Sequence, residues 1–290
     1  MLRPITVGLD GSPESLAAAD WAARAAQRRG LPLRLVHAWI WQPHDVPTAQ
    51  DLQTQRHWAL RVLREAEQDL HSRYPTLTID TEQISEPATE VLLHQAASAE
   101  VLVLGSSGHG AIAGFLLGSV AQTVLARAKH PVVMVRANER SAAEGDGGEV
   151  VVGLQDLAAE AEPLLEFAFR AAAARGTALR AVHAWDLPPL YGRGPEAGQA
   201  AVKAGALVER QEKALSDALQ PWQDKYPQVT VVKTLDLASA SGVVLQAAAD
   251  AGLVVVGRRV HRPAFGMRLG PVAHAVLHHA AAPVAVVPHS

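Results

Sequence analysis

Residues 101–120 read VLVLGSSGHGAIAGFLLGSV. The first four are continuously apolar, as expected of a strand that is covered on both faces of a sheet. A glycine-rich loop follows at once, and Gly118-Ser119 then lead into a segment with helical periodicity. A buried strand that continues through a loop into a helix is typical of α/β proteins. This stretch therefore predicts a parallel sheet with covering helices.

The same alternation of strand and helix continues on both sides of this stretch. Ser12 suits the N-cap of a first helix, with Pro13 at its first position and Gly30 after its end. We predict strands at 5–9, 33–38, 78–84, 101–104 and 132–135, and further helices at 49–72, 87–98 and 119–128. Five strands with intervening helices predict an open, doubly wound parallel sheet with helices on both faces.

The whole pattern occurs twice. Val7-Gly8-Leu9-Asp10 returns as Val152-Gly153-Leu154-Gln155, and Val36-His37-Ala38-Trp39 returns as Val182-His183-Ala184-Trp185. One period covers about 140 residues, which indicates duplicated domains and not solenoid repeats. We predict a first α/β domain at 1–138, a solvated linker at 139–149 and a second α/β domain at 150–290.

Composition narrows the class of protein. The chain has 290 residues, a net charge of -3 and no cysteine. A net charge this close to zero gives no positive surface potential that would attract nucleic acid or anionic lipid. The lack of cysteine excludes disulfides and thiol catalysis. No apolar run reaches the roughly 20 residues of a membrane span, and a strand-like run starts directly after Pro4. We therefore expect no signal peptide, no membrane or nucleic-acid partner, and a cytoplasmic location.

Two glycine clusters and one carboxylate mark the carboxyl edge of the predicted sheet. Gly105 and Gly108 are expected to take positive φ and approach a ligand closely. Gly118-Ser119 open a helix, whose free N–H groups attract phosphate, and the Ser119 hydroxyl could bind phosphate or Mg²⁺. Asp10 ends the first strand and could hold a ribose hydroxyl, an adenine amine or Mg²⁺. The alternative is that the glycines only form a turn and Ser119 only starts a helix; the fixed spacing of the clusters, with Asp10 nearby, favours the phosphate site.

The spacing G-2x-G-9x-G-[ST], met by Gly105, Gly108, Gly118 and Ser119, together with V-G-L-D-G-S at 7–12, resembles the universal stress protein family. The resemblance covers both halves, as in the tandem-domain members. It implies the fold of adenine nucleotide alpha-hydrolase-like proteins, bound ATP with Mg²⁺ as an accompanying ion, and a regulatory role in the stress response. The implied ATP contacts are Gly8, Leu9, Asp10, Ala38, Gly105, Ser106, Ser107, Gly108, His109, Gly110, Gly118, Ser119 and Val120.

The second half departs from this pattern at three positions. Val260 stands where the first half has Gly108, Pro271 where it has Ser119, and Gln155 where it has Asp10. A β-branched residue resists positive φ, and proline offers neither a hydroxyl nor an N–H. We therefore expect weak or no ATP binding there, and no counterpart pocket around 257–271.

What the second domain does instead has two interpretations. It is a structural partner of the first domain, or it holds a different anion next to a helix N-terminus. The cationic residues that suggest the second interpretation are Arg258, Arg259, His261, Arg262 and Arg268.

Histidines and tryptophans give weaker signals. His274 and His278 are four apart on a predicted helix and could share a metal, although simple polar surface is the favoured interpretation. Trp39, Trp41 and Trp185 follow second strands, so one of them could stack on a base; ordinary core packing is favoured.

The glycine loop contains no lysine of the kind that clamps β- and γ-phosphates in P-loop enzymes. No arrangement of nucleophile, base and oxyanion donors predicts turnover either. The sequence favours a nucleotide-responsive regulatory module over its two rivals, a slow ATPase and a nucleotide-free dimerisation scaffold.

The last strand of each half, 132–135 and 284–287, is short and apolar and is expected at a sheet edge. Pairing one with the other would hide both edges. The predicted partners are ATP, a second tandem chain in a homodimer, and a regulatory protein that the sequence does not identify.

Overall fold

The computed structural model describes residues 2–39, 49–106, 117–137, 147–185, 197–260 and 269–290. The elements of the first half are β1 (Ile5–Gly8), α1 (Pro13–Arg29), β2 (Leu33–Ala38), α2 (Ala49–Arg73), β3 (Ile79–Ile84), α3 (Ala88–Ser98), β4 (Val101–Ser106), α4 (Ser119–Arg127) and β5 (Val132–Arg136). Those of the second half are β6 (Val150–Leu154), α5 (Glu162–Arg175), β7 (Leu179–Ala184), α6 (Ala197–Lys225), β8 (Val231–Asp236), α7 (Ala240–Ala247), β9 (Leu253–Arg259), α8 (Pro271–His279) and β10 (Val284–His289). The alternation of strands and helices that the sequence predicts is confirmed.

Local signals fix the ends of the first helix of each half. The Ser12 hydroxyl accepts a hydrogen bond from the Ser15 amide at 3.1 Å, which satisfies one free donor at the start of α1. Gly30 ends α1 in the left-handed conformation, with φ at 60°. Gly176 ends α5 in the same way, with φ at 65°. Only glycine adopts this conformation at no steric cost, so α1 ends where the sequence predicts and α5 ends by the same kind of signal.

The strands form one continuous ten-stranded sheet in the order β3-β2-β1-β4-β5-β10-β9-β6-β7-β8. All pairs within each half are parallel. β5 and β10 pair antiparallel, with Val133 opposite Ala285 at the centre of the junction. The predicted pairing of the two last strands is confirmed, and it joins the two five-stranded sheets edge to edge.

Helices cover both faces of this sheet, and the core on each face continues across the junction. One core cluster includes Trp21 of α1, Leu70 of α2, Phe169 of α5 and Leu219 of α6. The other includes residues of α3, α4, α7 and α8. Because each cluster contains residues of both halves, the junction is part of the hydrophobic core.

Two arginines connect the halves reciprocally, and we call their bonds the crossed arginine contacts. Arg258 of β9 is only 5% exposed, and its guanidinium donates to the carbonyl of Ala126 at 3.0 Å and to that of Ala128, at the end of α4. Arg136 of β5 donates to the carbonyls of Leu277 and His278, at 3.0 and 2.7 Å, at the end of α8. Cations at helix C-termini satisfy free carbonyls and complement the helix dipole. Each half thus caps a helix of the other.

Among the helices in the described ranges, none is both long enough and apolar enough to span a bilayer.

Candidate functional site

Each half has a topological switch point at the carboxyl ends of its strands, where a crevice is expected. In the first half, β1 lies between β2 and β4, with Gly8 opposite both Val36 and Leu104. In the second half, β6 lies in the same way between β7 and β9. The connections leave in opposite directions from such a central strand, and ligands of open α/β sheets bind at this position. We call these the N-terminal and the C-terminal crevice.

Gly105 serves a different purpose from the one that the sequence suggests. It lies within β4, and positive φ values among the described glycines occur at Gly11, Gly30 and Gly176, so the prediction of positive φ at Gly105 is wrong. A Cβ atom at Gly105 would lie 2.5 Å from the carbonyl carbon of Glu14 and 2.6 Å from the Ser15 amide nitrogen. Glycine is therefore needed here because the first turn of α1 packs directly on β4.

Ser106 is buried, and its hydroxyl donates to the carbonyl of Val135 at 3.1 Å. This hydroxyl serves the pairing of β4 with β5, so any contact with a ligand would have to come from the backbone. The predicted contacts Ser107, Gly108, His109 and Gly110 lie outside the described residues.

Among the described residues none covers the start of α4, as an anion site requires. Gly118 is the N-cap residue with φ at -59°, and a Cβ there would meet no described atom within 4 Å. Gly118 and Ser119 are exposed and Val120 is half-buried. Since the first N–H groups of an α-helix lack intrahelical acceptors, the first turn of α4 presents free donors to this open space.

Asp10 is engaged with the turn that precedes α1. Its Oδ1 accepts hydrogen bonds from the Ser12 amide at 2.9 Å and from the Ser12 hydroxyl at 2.5 Å. Partial burial acts to raise the pKa of Asp10, but the hydrogen bonds from Ser12 and Ser15 outweigh it, so the pKa lies below its ordinary value. The carboxylate thus stabilises the turn, and a ligand donor would have to share it with Ser12.

We expect Asp10→Asn to cost less than about 1 kcal/mol at pH 7, because the amide oxygen can still accept from Ser12. A carboxylate whose pKa is lowered by folding contributes stability above its unfolded pKa of 3.8, and loses that contribution as the pH falls through the folded value. Urea unfolding should therefore show the wild-type advantage at pH 7 shrinking as the pH falls below 3.8. The exposed Asp217→Asn variant is the control. An advantage that does not change with pH would contradict this role of Asp10.

The floor and rim of the N-terminal crevice are apolar. A Cβ at Gly8 would lie 2.8 Å from Cδ2 of both Leu92 and Leu104, so these side chains cover the end of β1. The ring of His37 is buried, with Nδ1 2.8 Å from the carbonyl oxygen of Leu9, so it fixes the chain just before Asp10. Ala38, at the end of β2, is half-buried.

Trp58 of α2 is a rim residue that the sequence analysis missed. It is 47% exposed, and its ring contacts that of His37 edge-on, with 5.7 Å between centroids. Its ring also lies 3.6 Å from where a Cβ at Gly11 would be. A tryptophan within the predicted helix 49–72 was the available signal, but only the fold places it beside the Leu9–Gly11 turn.

The C-terminal crevice contains a cavity of about 320 Å³, which the sequence analysis did not predict. The absence of a counterpart phosphate pocket around 257–271 stays a prediction. The cavity lies at the ends of β6, β7, β9 and β10 and at the start of α8. It is lined by Gly153, Leu154, Gln155, Asp156, Glu160, Ala161, Leu164, Val182, Ala184, Trp185, Ala238, Ala240, Val244, Val256, Gly257, Arg259, Gly270, Pro271, Val272, Ala273 and His289.

Two substitutions between the halves account for space at the end of β6. Val244 and Val256 occupy the positions that Leu92 and Leu104 hold in the first half. A Cβ at Gly153 would lie 3.2 Å from Val244 and 3.9 Å from Val256, whereas the leucines approach Gly8 to 2.8 Å. The valines therefore leave more space over the end of β6 than the leucines leave over the end of β1. The sequence analysis compared only the loops and so missed this difference.

The two described arginines of the predicted second anion site are already bound elsewhere, which argues against that interpretation. Arg258 makes one of the crossed arginine contacts, and Arg259 forms an ion pair with Asp156. His261, Arg262 and Arg268 lie outside the described residues.

The rings of His274 and His278 lie with 4.2 Å between their centroids and are tilted by 32°. No cluster of three or more His, Asp or Glu side chains that could hold a metal occurs in the described ranges. Trp185 lines the C-terminal cavity, Trp39 is half-buried at the end of β2, and Trp41 is outside the described residues.

Comparison with known proteins gives a consistent result. The sequence model of the universal stress protein family matches residues 1–136 and 149–288. A universal stress protein of Mycobacterium tuberculosis is 32% identical over 300 residues, which is 99% of this chain and 97% of that protein. A second one from the same species is 35% identical over 310 residues, or 97% and 94% of the two chains. The crystal structure of a universal stress protein from Archaeoglobus fulgidus, at 16% identity, superposes with a TM-score of 0.71 over 99% of this chain and 98% of that one, which supports the fold alone.

Proposed function

The chain belongs to the universal stress protein family, and on that premise we propose that it is a regulatory module that binds ATP in its N-terminal crevice. The observation that carries the proposal is the open first turn of α4. A Cβ atom added to Gly118 would have no described atom within 4 Å. Ser119 is exposed next to the free backbone N–H groups of the first turn. The equivalent helix of the second half starts with Pro271, which lacks both a hydroxyl and an N–H.

The remaining parts of the crevice suit the rest of a nucleotide. The phosphates would lie against α4, where the helix dipole and the free amides favour negative charge. The base would lie over the leucines at Gly8, with the exposed Trp58 ring at the rim. Mg²⁺ would be held mainly by the phosphates, with the Ser119 hydroxyl as its candidate protein ligand.

Binding without rapid turnover is the form of activity that we propose. Nucleotide bound at the start of α4 would change the surface offered to a regulatory protein in the cytoplasm. Self-association of the tandem chain into a homodimer stays a prediction. A slow ATPase is the rival that the following experiment separates from binding.

Gly118→Asp should abolish the increase in melting temperature that ATP causes. Aspartate is a favoured N-cap residue and the site has open space, so the variant should fold as well as the wild type. Its carboxylate would occupy the position of the phosphates and repel them. At an ATP concentration 100 times the Kd, the wild type should gain about 2.7 kcal/mol, which thermal unfolding detects.

Gly118→Ala is the matched control, since it adds a side chain without charge and should keep most of the ATP effect. Equal responses of Gly118→Asp and the wild type would contradict the proposed phosphate position. Phosphate release by the wild type above that of Gly118→Asp would favour the slow ATPase.

A further inference from the structure

We propose that an oxyanion of the phosphate class binds between α1 and α5, where arginines of the two halves meet. The site is separate from both crevices, because it lies towards the C-terminal ends of these helices and the crevices adjoin their starts. It does not depend on ATP binding. Two related groups of arginines and the narrow cavity between them carry the inference.

The first arginine group joins the two halves through one carboxylate. Arg29 of α1 and Arg170 of α5 each place Nη2 2.7 Å from Oε1 of Glu100, the residue that precedes β4 by one position. Two guanidinium groups thus share one carboxylate. This first group therefore already carries more positive than negative charge.

The internal duplication produces a second arginine group on the other side of the α1–α5 contact. In the alignment of the halves, the equivalents of Arg29, Arg170 and Glu100 are Arg175, Arg24 and Gly252. A Cβ at Gly252 would lie 3.1 Å from Nη1 of Arg175, so a side chain at this position would reach the guanidinium. The same Cβ would lie 2.7 Å from the carbonyl oxygen of Gly148, which leaves no room for one. The second group thus has the arginines without the equivalent acid, and the chain cannot supply one at position 252.

Arg28 adds a further cation to the second group. It is four residues from Arg24 on α1, so both side chains lie on one face of the helix, and its equivalent in α5 is Ala174. Burial, Arg28 and Arg24 lower the pKa of Arg175 to about 9, and burial and Arg24 lower the pKa of Arg28. Like charges are crowded at this place, and a bound anion would relieve their repulsion.

A cavity of about 30 Å³ lies between α1 and α5 and is bordered by Arg28, Arg29 and Arg175. Most of its other lining is apolar and includes Trp21, whose ring centroid is 5.8 Å from Cζ of Arg175. This cation–π contact holds the guanidinium in place. The cavity has room for roughly two water-sized groups, so the ion would lie at its mouth. Arg24, Arg28 and Arg175 are half-buried there and within reach of solvent.

The class of anion follows from the donors. Guanidinium groups present paired N–H donors in a planar fork that matches the oxygens of phosphate. A tetrahedral dianion offers enough oxygens to accept from several such forks, and its charge would offset two of the crowded cations. Because α1 belongs to the first half and α5 to the second, the bound ion would hold the two halves together.

Inorganic phosphate is the probe for this site. Thermal unfolding of the full chain at constant ionic strength should show a saturable rise in melting temperature, since an ion that binds only the native state stabilises it. Arg28→Ala introduces the residue of the equivalent position in α5 and should weaken the apparent affinity for phosphate by about tenfold or more. Arg61→Ala, which removes the same charge from a side chain that is 66% exposed on α2, is the control and should change this affinity by less than about twofold.

Arg28→Glu tests the charge argument in the opposite direction. Its carboxylate would stand beside Arg24 and Arg175 and supply from within the chain what the ion supplies from solution. Without phosphate, this variant should unfold at a higher temperature than the wild type, and it should lose the response to phosphate. Removal of an ordinary solvated arginine would have neither effect.

Two further arms locate the ion and identify its source. Gly118→Asp should keep the phosphate response, which separates this site from the start of α4. Methyl phosphate distinguishes free phosphate from phosphate on a larger molecule. A rise as large as that from phosphate assigns a phosphate monoester, a much smaller one assigns the free ion, and both support the site.

Equal responses to chloride and phosphate at the same ionic strength would overturn the inference, because they would reflect screening alone. A lower melting temperature of Arg28→Glu would also overturn it, as would a phosphate response that Arg28→Ala retains. If Gly118→Asp abolished that retained response, phosphate would lie at the start of α4, which would support the proposed function and not this site. Failure of ATP to bind would count against the proposed function and leave the phosphate result to be judged by itself.

Discussion

Gly105→Ala should destabilise the protein by about 3 kcal/mol or more, although it adds one methyl group, because overpacking against a backbone that cannot move has no cheap relaxation. The new Cβ would lie 2.5 Å from the Glu14 carbonyl carbon and 2.6 Å from the Ser15 nitrogen. To relieve the clash, α1 would have to move away from β4, and α1 contributes a buried face of alanines and one tryptophan to the core. A glycine of the sequence motif is thus needed for folding before any ligand binds.

Urea unfolding of Gly105→Ala beside two matched glycine variants tests this. Gly118→Ala adds the same methyl group in open space at a φ of -59°, so its free energy of unfolding should stay within about 0.5 kcal/mol of the wild type. Gly257 is the equivalent of Gly105 in the second half. The new methyl group of Gly257→Ala would meet side-chain atoms of His289 and Leu164 that can shift, so its free energy of unfolding should lie between those of the other two variants. Equal free energies of unfolding for the Gly105 and Gly118 variants would contradict the close packing of α1 on β4.

Arg258→Met should lower the free energy of unfolding by about 2–3 kcal/mol, the usual range for losing hydrogen bonds from a charged donor. Methionine keeps much of the length and apolar stem of arginine but leaves the carbonyls of Ala126 and Ala128 without their donor. Burial lowers the pKa of Arg258 from its ordinary value, so part of the gain from these bonds is offset by desolvation of the guanidinium. The net loss is therefore below the sum of the separate bonds.

The neighbouring Arg259→Met is the control for this experiment. Arg259 and its partner Asp156 are 39% and 41% exposed, and a solvated ion pair of this kind contributes about 0–1 kcal/mol. Chemical unfolding should show a clearly lower free energy of unfolding for Arg258→Met than for Arg259→Met. If both lose the same small amount, the crossed arginine contacts do not hold the halves together.

The elements of the fold could be predicted because their signals are local. Ser12, Pro13 and Gly30 mark the ends of α1 by their own backbone and hydrogen-bonding chemistry, and continuous apolar runs mark buried strands. The pairing of β5 with β10 followed from the need to hide two apolar edges. The duplication then predicted the second half from the first.

The site was predicted less completely because its determinants come from distant parts of the chain. The reason for glycine at position 105 is the backbone of Glu14, and Trp58 reaches the rim only because α2 packs beside β2. Val244 and Val256 widen the space at the end of β6 by one methylene each, a difference that a comparison of loops does not weigh. Arg258 looked like part of an anion site until its acceptors on α4 were known.

The two arginines that cross the junction come from different strands: Arg136 is the last residue of β5, whereas Arg258 belongs to β9. A symmetric dimer of separate domains would repeat every residue on both sides of its axis, so it could not use a different arginine on each side. Fusion into one polypeptide removes that constraint, since each substitution occurs once. One half of the chain can therefore change a residue while the other half keeps the residue at the equivalent position.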